Sequence, residues 1–221
     1  MRGRILPIST AVVAATAMLA TTVAAAPANA QPATDGQRPL SQVLGADNGF
    51  DQNPYDYDVA RALIRGVLKL KPTSPLNVLA RGEVPLTIFV PKDVAFKELV
   101  DDMLGVWVED ESRLARVALA LLNRSGQVGV SAAEQLLLYH VIPGKTLTAD
   151  ALKRTPGAWL RTGALGNRSI RVWLDHGVVR LRDADEELRD PAVRLPDLNV
   201  GNRQVAHGID RVLIPVDLDL P

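Results

Sequence analysis

Three histidines are the side chains best suited to chemistry in this sequence: His140, His176 and His207. Imidazole is the commonest metal ligand and an effective general base near neutral pH. A metal site on His140 and His207 would need a third ligand, for which Asp93 and Asp210 are candidates. Both histidines lie in apolar periodic runs, where a neutral, hydrogen-bonded imidazole is the cheaper state. We therefore expect core histidines and no metal site, and we expect His176 to be solvated in a turn.

A serine hydrolase is not favoured. Such an enzyme needs an exposed serine in the pattern Gly-x-Ser-x-Gly. Gly129-Val130-Ser131 begins this pattern, but Ala133 stands where the second glycine belongs. Ser131 is better explained as a helix cap, because Glu134 follows it at capping-box spacing. Phosphate-loop and dinucleotide-binding motifs are missing too, so we predict no catalytic residue, no cofactor and no enzyme.

Composition narrows the remaining classes of protein. Lys and Arg total 25, and Asp and Glu total 25, so charge does not favour nucleic acid or an anionic membrane as partner. The sequence has no cysteine, which excludes disulfides, thiolate zinc sites and thiol nucleophiles. With 221 residues and 47% hydrophobic content, one domain with a substantial core is expected.

The N-terminal residues are predicted to lie outside this domain. Arg2 and Arg4 precede an alanine-rich apolar run that ends at Ala28-Asn29-Ala30. This is the pattern of a secretory signal over residues 1–30, although cleavage after Ala26 is an alternative. Residues 31–54 are rich in Pro, Gly, Asp and Asn, which predicts a flexible linker with a short helical turn around Leu40–Leu44.

Acidic residues cluster in the sequence near the end of this linker. Asp47, Asp51, Asp56 and Asp58 lack the glycine and closing glutamate of a calcium-binding loop. We therefore expect them to be solvated.

Hydrophobic periodicity predicts the elements that must position the candidate residues. Helices are expected over 58–70, 96–104, 114–122 and 131–138, and strands over 86–90, 141–142, 170–174, 179–182 and 204–214. Asp175-His176-Gly177 is a turn signal between two alternating strands, so a hairpin is predicted there.

Three blocks, in this order and spacing, resemble the fasciclin-like domain family. Leu86–Phe96 is similar to its strand-to-helix block, Leu138–Gly144 to its Tyr-His block, and Val205–Pro215 to its closing strand. The resemblance covers residues 55–216 and leaves 217–221 as a tail. The positions that match the family's structural motif are Phe89, Pro91, Asp93, Phe96, Tyr139, His140, Pro143, Gly144, His207, Ile209 and Asp210.

Four features depart from the family pattern. Lys92 replaces a hydroxyl residue, Gly208 replaces a branched apolar residue, and Arg203-Gln204 replaces an Asn-Gly turn. The segment over 106–129 is also long, and it contains Trp107. That tryptophan is either an exposed binding anchor or the cover of a satellite core.

The resemblance implies an α+β fold: a wedge-shaped β-sandwich with helices packed along one side. It implies a secreted, non-enzymatic module of bacterial type for cell adhesion, with an extracellular or cell-envelope protein or glycan as partner. Neither nucleic acid nor a membrane span after signal cleavage is expected. The alternative is a small-ligand carrier or enzyme that uses a cleft near Tyr139-His140.

Overall fold

The computed structural model describes residues 36–45, 49–124 and 130–218. The predicted signal over 1–30 therefore lies outside the described residues. Within the described part, none of the helices combines the length and the apolarity that a bilayer crossing requires. The helices are α1 (Leu40–Leu44), α2 (Asp58–Leu70), α3 (Asp93–Leu104), α4 (Glu111–Arg124), α5 (Val130–Tyr139) and α6 (Ala149–Lys153), with a 3₁₀ helix at Pro75–Ala80. The strands are β1 (Leu86–Pro91), β2 (Val141–Pro143), β3 (Trp159–Arg161), β4 (Ser169–Asp175), β5 (Val178–Arg182), β6 (Val193–Leu198) and β7 (Gln204–Ile209).

A four-stranded mixed sheet with the order β2-β1-β7-β6 forms the centre of the fold. β1 and β7 run parallel, with Leu86 opposite Gln204 and Pro91 opposite Ile209. Every residue of these two strands is buried. A strand covered on both faces reads as a continuous apolar run, which explains why β1 was predictable from sequence.

The second sheet has three antiparallel strands in the order β3-β4-β5. Asp175 pairs with Val178, which leaves His176-Gly177 as a two-residue loop. Both loop residues have positive φ, 49° and 81°, as a type I′ turn requires. The predicted hairpin is therefore confirmed. Together, two sheets and several helices confirm the predicted α+β fold class.

Part of the stretch predicted as a flexible linker, residues 36–45, is packed onto the domain, whereas residues 49–53 are exposed. Leu40 is fully buried, and Leu44 lies one helical turn further along α1 on the same face. A Cβ atom on Gly82 would lie 1.8 Å from the carbonyl oxygen of Gln37, so only glycine permits this approach. The predicted helical turn around Leu40–Leu44 is confirmed. Its i, i+4 leucines give α1 an apolar face that packs against the domain.

The capping-box prediction is wrong. Ser131 already lies within α5 and is exposed. The Glu134 carboxylate instead forms an ion pair with Lys71 Nζ at 2.5 Å, so it ties α5 to the end of α2. The last strand also ends at Ile209, not Ile214.

Candidate functional site

His140 follows the last residue of α5 and is buried. Its Nδ1–H donates to the Leu136 carbonyl at 2.8 Å. The last carbonyls of a helix have no helical partner, so the side chain completes the helix end. Nε2 accepts the Leu213 N–H at 3.0 Å. Burial lowers the pKa of His140 to about 4, against a smaller opposing effect of the Leu136 bond, so the ring is neutral at pH 7.

His207 has a similar environment on β7. It is fully buried, and its ring stacks on Phe89 with 5.6 Å between centroids. Nε2–H donates to the Leu147 carbonyl at 2.8 Å, while Nδ1 accepts the Asp197 N–H at 3.2 Å. Burial lowers its pKa. Both nitrogens of each histidine are thus bound to backbone, and neither has a lone pair left for a metal or a substrate proton.

The two aspartates considered as third metal ligands accept hydrogen bonds from other groups instead. Asp93 Oδ2 and Oδ1 accept the N–H groups of Asp58 and Val59, at 3.1 and 3.0 Å, and so cap the start of α2. Asp210 Oδ2 accepts from Arg189 and Arg194 at 3.1 and 2.8 Å. Among the described residues, no group spaced for a metal ion includes a histidine.

The other motif residues form core and turns. The Tyr139 hydroxyl donates to the Ser169 carbonyl at 3.2 Å and thereby joins α5 to β4. Pro143 pairs with Leu86, and the Gly144 N–H donates to the Pro85 carbonyl at 2.9 Å. Three further motif side chains are buried in the core: Phe89, Phe96 and Ile209.

An acidic cluster lies where α2, α3 and α4 begin. It comprises Asp51, Asp56, Asp58, Asp93 and Glu111. Asp51, Asp56 and Asp58 were expected to be solvated, but Asp58 is buried. One carboxylate oxygen from each of Asp51, Asp56 and Glu111 lies within 4.8 Å of the other two, and the same holds for Asp56, Asp58 and Asp93. These oxygens could hold a cation. Sequence spacing gave no signal, because Asp93 and Glu111 come from separate helices far along the chain.

In the acidic cluster, carboxyl groups lie close together, and burial and mutual repulsion raise the pKa values of Asp93 and Glu111. Burial and contact with the Asp56 carboxyl group together raise the pKa of Asp93 to about 8, against the opposing effect of the Val59 bond. Burial also raises the pKa of Glu111, with added repulsion from Asp56, Asp58 and Asp51. The Arg61 guanidinium donates to Asp58, and its Nη2 reaches the Gly49 carbonyl at 3.1 Å.

A cleft of about 650 Å³ lies beside α5. Most of its lining is apolar, and charged groups come from Lys71, Glu134 and Arg168. Leu136 lines it, one helical turn before His140, but neither Tyr139 nor His140 does. A cleft of the kind that the alternative hypothesis requires therefore lies next to the Tyr-His block, but Tyr139 and His140 do not line it.

The loop between α3 and α4 presents apolar side chains to solvent. Leu104, Val106 and Trp107 are 41%, 46% and 47% exposed. The indole N–H of Trp107 donates to Glu109 Oε1 at 2.8 Å, and Glu109 Oε2 accepts from Lys97 Nζ at 3.0 Å. Of the two readings of Trp107, the structure therefore favours an exposed, oriented ring over a core cover.

Comparisons with known proteins identify a matching domain family. The family model described as the fasciclin domain matches residues 66–215. A solved FAS1 domain pair from the insect cell adhesion molecule Fasciclin I is 18% identical, with a TM-score of 0.48. The alignment covers 73% of this chain and 48% of that one, so this chain spans about half the length of the pair. A search of curated proteins gives no match.

Proposed function

Because the chain belongs to the fasciclin domain family, a family of adhesion-type modules, we propose that it is a secreted, non-enzymatic binding module. Its partner is a protein or glycan of the cell envelope or the extracellular space. The histidines support this proposal, because all four ring nitrogens of His140 and His207 form hydrogen bonds with backbone groups. We assign both a structural role.

The observation that carries the proposal is the exposed apolar surface of the α3–α4 loop. Leu104, Val106 and Trp107 are each more than two-fifths exposed within four consecutive residues. Isolated apolar side chains on a surface are ordinary, but a contiguous group marks a contact site. Tryptophan is also the residue type most enriched among energetically dominant interface positions.

The loop is held in place before a partner arrives. Lys97 is buried, and Glu109 bridges its ammonium group to the Trp107 indole. Hydrogen bonds from these two groups lower the pKa of Glu109, so the bridge persists at neutral pH. A fixed indole loses little rotamer entropy on binding, which favours affinity.

Binding of the secreted protein to bacterial envelope and extracellular material tests the proposal. Trp107→Ala should weaken retention by about ten-fold or more while the melting temperature stays at the wild-type value. Trp159→Ala is the matched control, because Trp159 is 64% exposed on another element, β3. Equal retention of the Trp107 variant would refute the surface assignment. Substrate turnover that a folded His140 or His207 variant loses would refute the non-enzymatic role.

Export is the second part of the proposal. The basic start, apolar run and Ala28-x-Ala30 site support a mature chain that begins at Gln31. Intact mass spectrometry of the culture supernatant should find that species, or one cut after Ala26. A cell-bound product that retains Met1 contradicts export.

A small-ligand carrier is the second candidate, and the cleft beside α5 favours it. Its volume of about 650 Å³ falls within the range of small-molecule sites. Native mass spectrometry of the secreted protein should then show a bound apolar molecule. Ala132→Leu, which narrows the cleft, should release that molecule. A ligand-free wild type removes this candidate.

A further inference from the structure

We propose that the acidic cluster binds a calcium ion, with Asp51, Asp56 and Glu111 as its protein ligands. The ion would join the segment that precedes α2 to the first turn of α4. Neither the family assignment nor the proposed binding surface implies such a site.

Free oxygen atoms inside the protein are the first argument. Glu111 is only 1% exposed. Its Oε2 accepts the Asp51 N–H at 3.1 Å, but its Oε1 is buried and lacks a hydrogen-bond partner within the described ranges. Both carboxylate oxygens of Asp56 are also buried without a hydrogen-bond donor in the described structure. A buried oxygen that gave up water needs a replacement partner.

The contact between Asp56 and Asp93 narrows what that partner can be. Two carboxyl groups side by side need a proton or a cation between them, because neither ionised group can donate. Asp93 already accepts two backbone N–H groups, so its oxygens are engaged. Asp56 belongs to both groups of converging oxygens, and one of its carboxylate oxygens lies within 4.8 Å of an oxygen of Asp51 and one of Glu111.

Charge gives the second argument. The cluster holds five carboxyl groups, and the ion pair described for it joins Arg61 to Asp58. The raised pKa of Asp93 favours its neutral form, which leaves four carboxylates against one guanidinium. Uncompensated buried charge strongly destabilises a fold. A divalent cation supplies the missing positive charge at the point where the free oxygens converge.

The donor set selects the metal. All ligands are carboxylate oxygens, which hard cations prefer, whereas zinc sites in proteins usually include histidine nitrogen or cysteine sulfur. Calcium takes six to eight oxygens in flexible geometry, while magnesium demands a near-ideal octahedron and uses one or two carboxylates. Asp51 is exposed, so the ion has an entry path and water can complete its coordination.

Calorimetric titration of the secreted protein with calcium chloride tests the site directly. We expect a dissociation constant of about 0.1–1 mM, as in extracellular calcium modules. Calcium at 5 mM should then raise the melting temperature by about 3–6 °C relative to a chelator. Absence of both heat and thermal shift overturns the proposal, and an equal response to magnesium overturns the choice of calcium.

Charge-neutral variants locate the site. Glu111→Gln and Asp56→Asn should each weaken calcium binding by about ten-fold or more. In chelator they should melt no lower than wild type, because they relieve repulsion. Asp101→Asn, the same change on an exposed residue of α3, should bind calcium normally.

An unchanged affinity in Asp56→Asn overturns the assignment even if Glu111→Gln fails to fold. If acidification stabilises wild type in chelator and calcium does nothing, a shared proton fills the cluster and the proposal fails. A variant that loses calcium binding but is still retained on envelope material shows that the calcium site and the proposed binding surface are independent.

Discussion

Replacing His140 by alanine should destabilise the domain without touching its binding surface. The change removes the acceptor for the buried Leu213 N–H and the donor for the Leu136 carbonyl. One orphaned buried group costs roughly 1–3 kcal/mol, and the cavity left by the ring adds to it. We therefore expect the free energy of unfolding to fall by roughly 2–5 kcal/mol in urea titrations at pH 7.

The pH dependence of this difference gives a second readout. Burial lowers the folded-state pKa of His140 to about 4 from 6.5. Between these values the unfolded chain binds the proton more tightly, so this histidine contributes a loss of stability as the pH falls, up to about 3 kcal/mol. The alanine variant lacks that contribution. The stability gap between wild type and variant should therefore narrow on acidification from pH 7 to pH 4.5.

His176→Asn is the control. His176 is solvated in the turn of the β4–β5 hairpin at a φ of 49°, which asparagine tolerates. Its unfolding free energy should stay within about 0.5 kcal/mol of wild type. The reasoning is refuted if His140→Ala unfolds at the wild-type urea concentration, or if its gap to wild type widens as the pH falls.

Three further predictions concern buried polar groups. Gly208→Ala should cost roughly 1–3 kcal/mol, because its Cβ would lie 2.3 Å from the Tyr57 hydroxyl; Tyr57→Phe in the same chain should recover part of the loss in a double-mutant cycle. Gln204→Leu should cost roughly 3 kcal/mol or more in urea unfolding, since its amide serves the Leu40 N–H and the carbonyls of three other residues. Burial raises the folded-state pKa of Asp183 to about 7, so stability linked to it falls as the pH rises from about 4 to 7; Asp183→Asn should flatten that slope, and an unchanged slope contradicts the assignment.

Local rules explain what the sequence predicted well. β1 is a β-branched and aromatic run that ends at proline, and its burial on both faces removes any alternation. The β4–β5 hairpin carries its own turn signal in His176-Gly177, whose positive φ angles suit a type I′ loop. These elements are specified by residues within a few positions of one another.

Tertiary contacts explain what the sequence could not predict. β6 is largely exposed and irregularly paired, and it becomes a strand through its pairing with β7. The helical turn of α1 was predicted, but its docking onto the domain was not, because Gln204 Oε1 accepts the Leu40 N–H at 2.9 Å across 164 positions of sequence. The acidic cluster likewise adds Asp93 and Glu111 from distant helices to the local Asp51, Asp56 and Asp58, so local spacing did not predict it.

The parallel pairing of β1 with β7 also constrains how the chain folds. The strands that form the centre of the sheet lie far apart in the sequence, so the chain between them must close before their contacts form. Topologies dominated by such distant contacts fold slowly. A nascent chain cannot complete this sheet until Ile209 has been synthesised, and until then β1 offers an unpaired, apolar edge to other chains. The late pairing of β7 with β1 is therefore the step at which aggregation competes with folding.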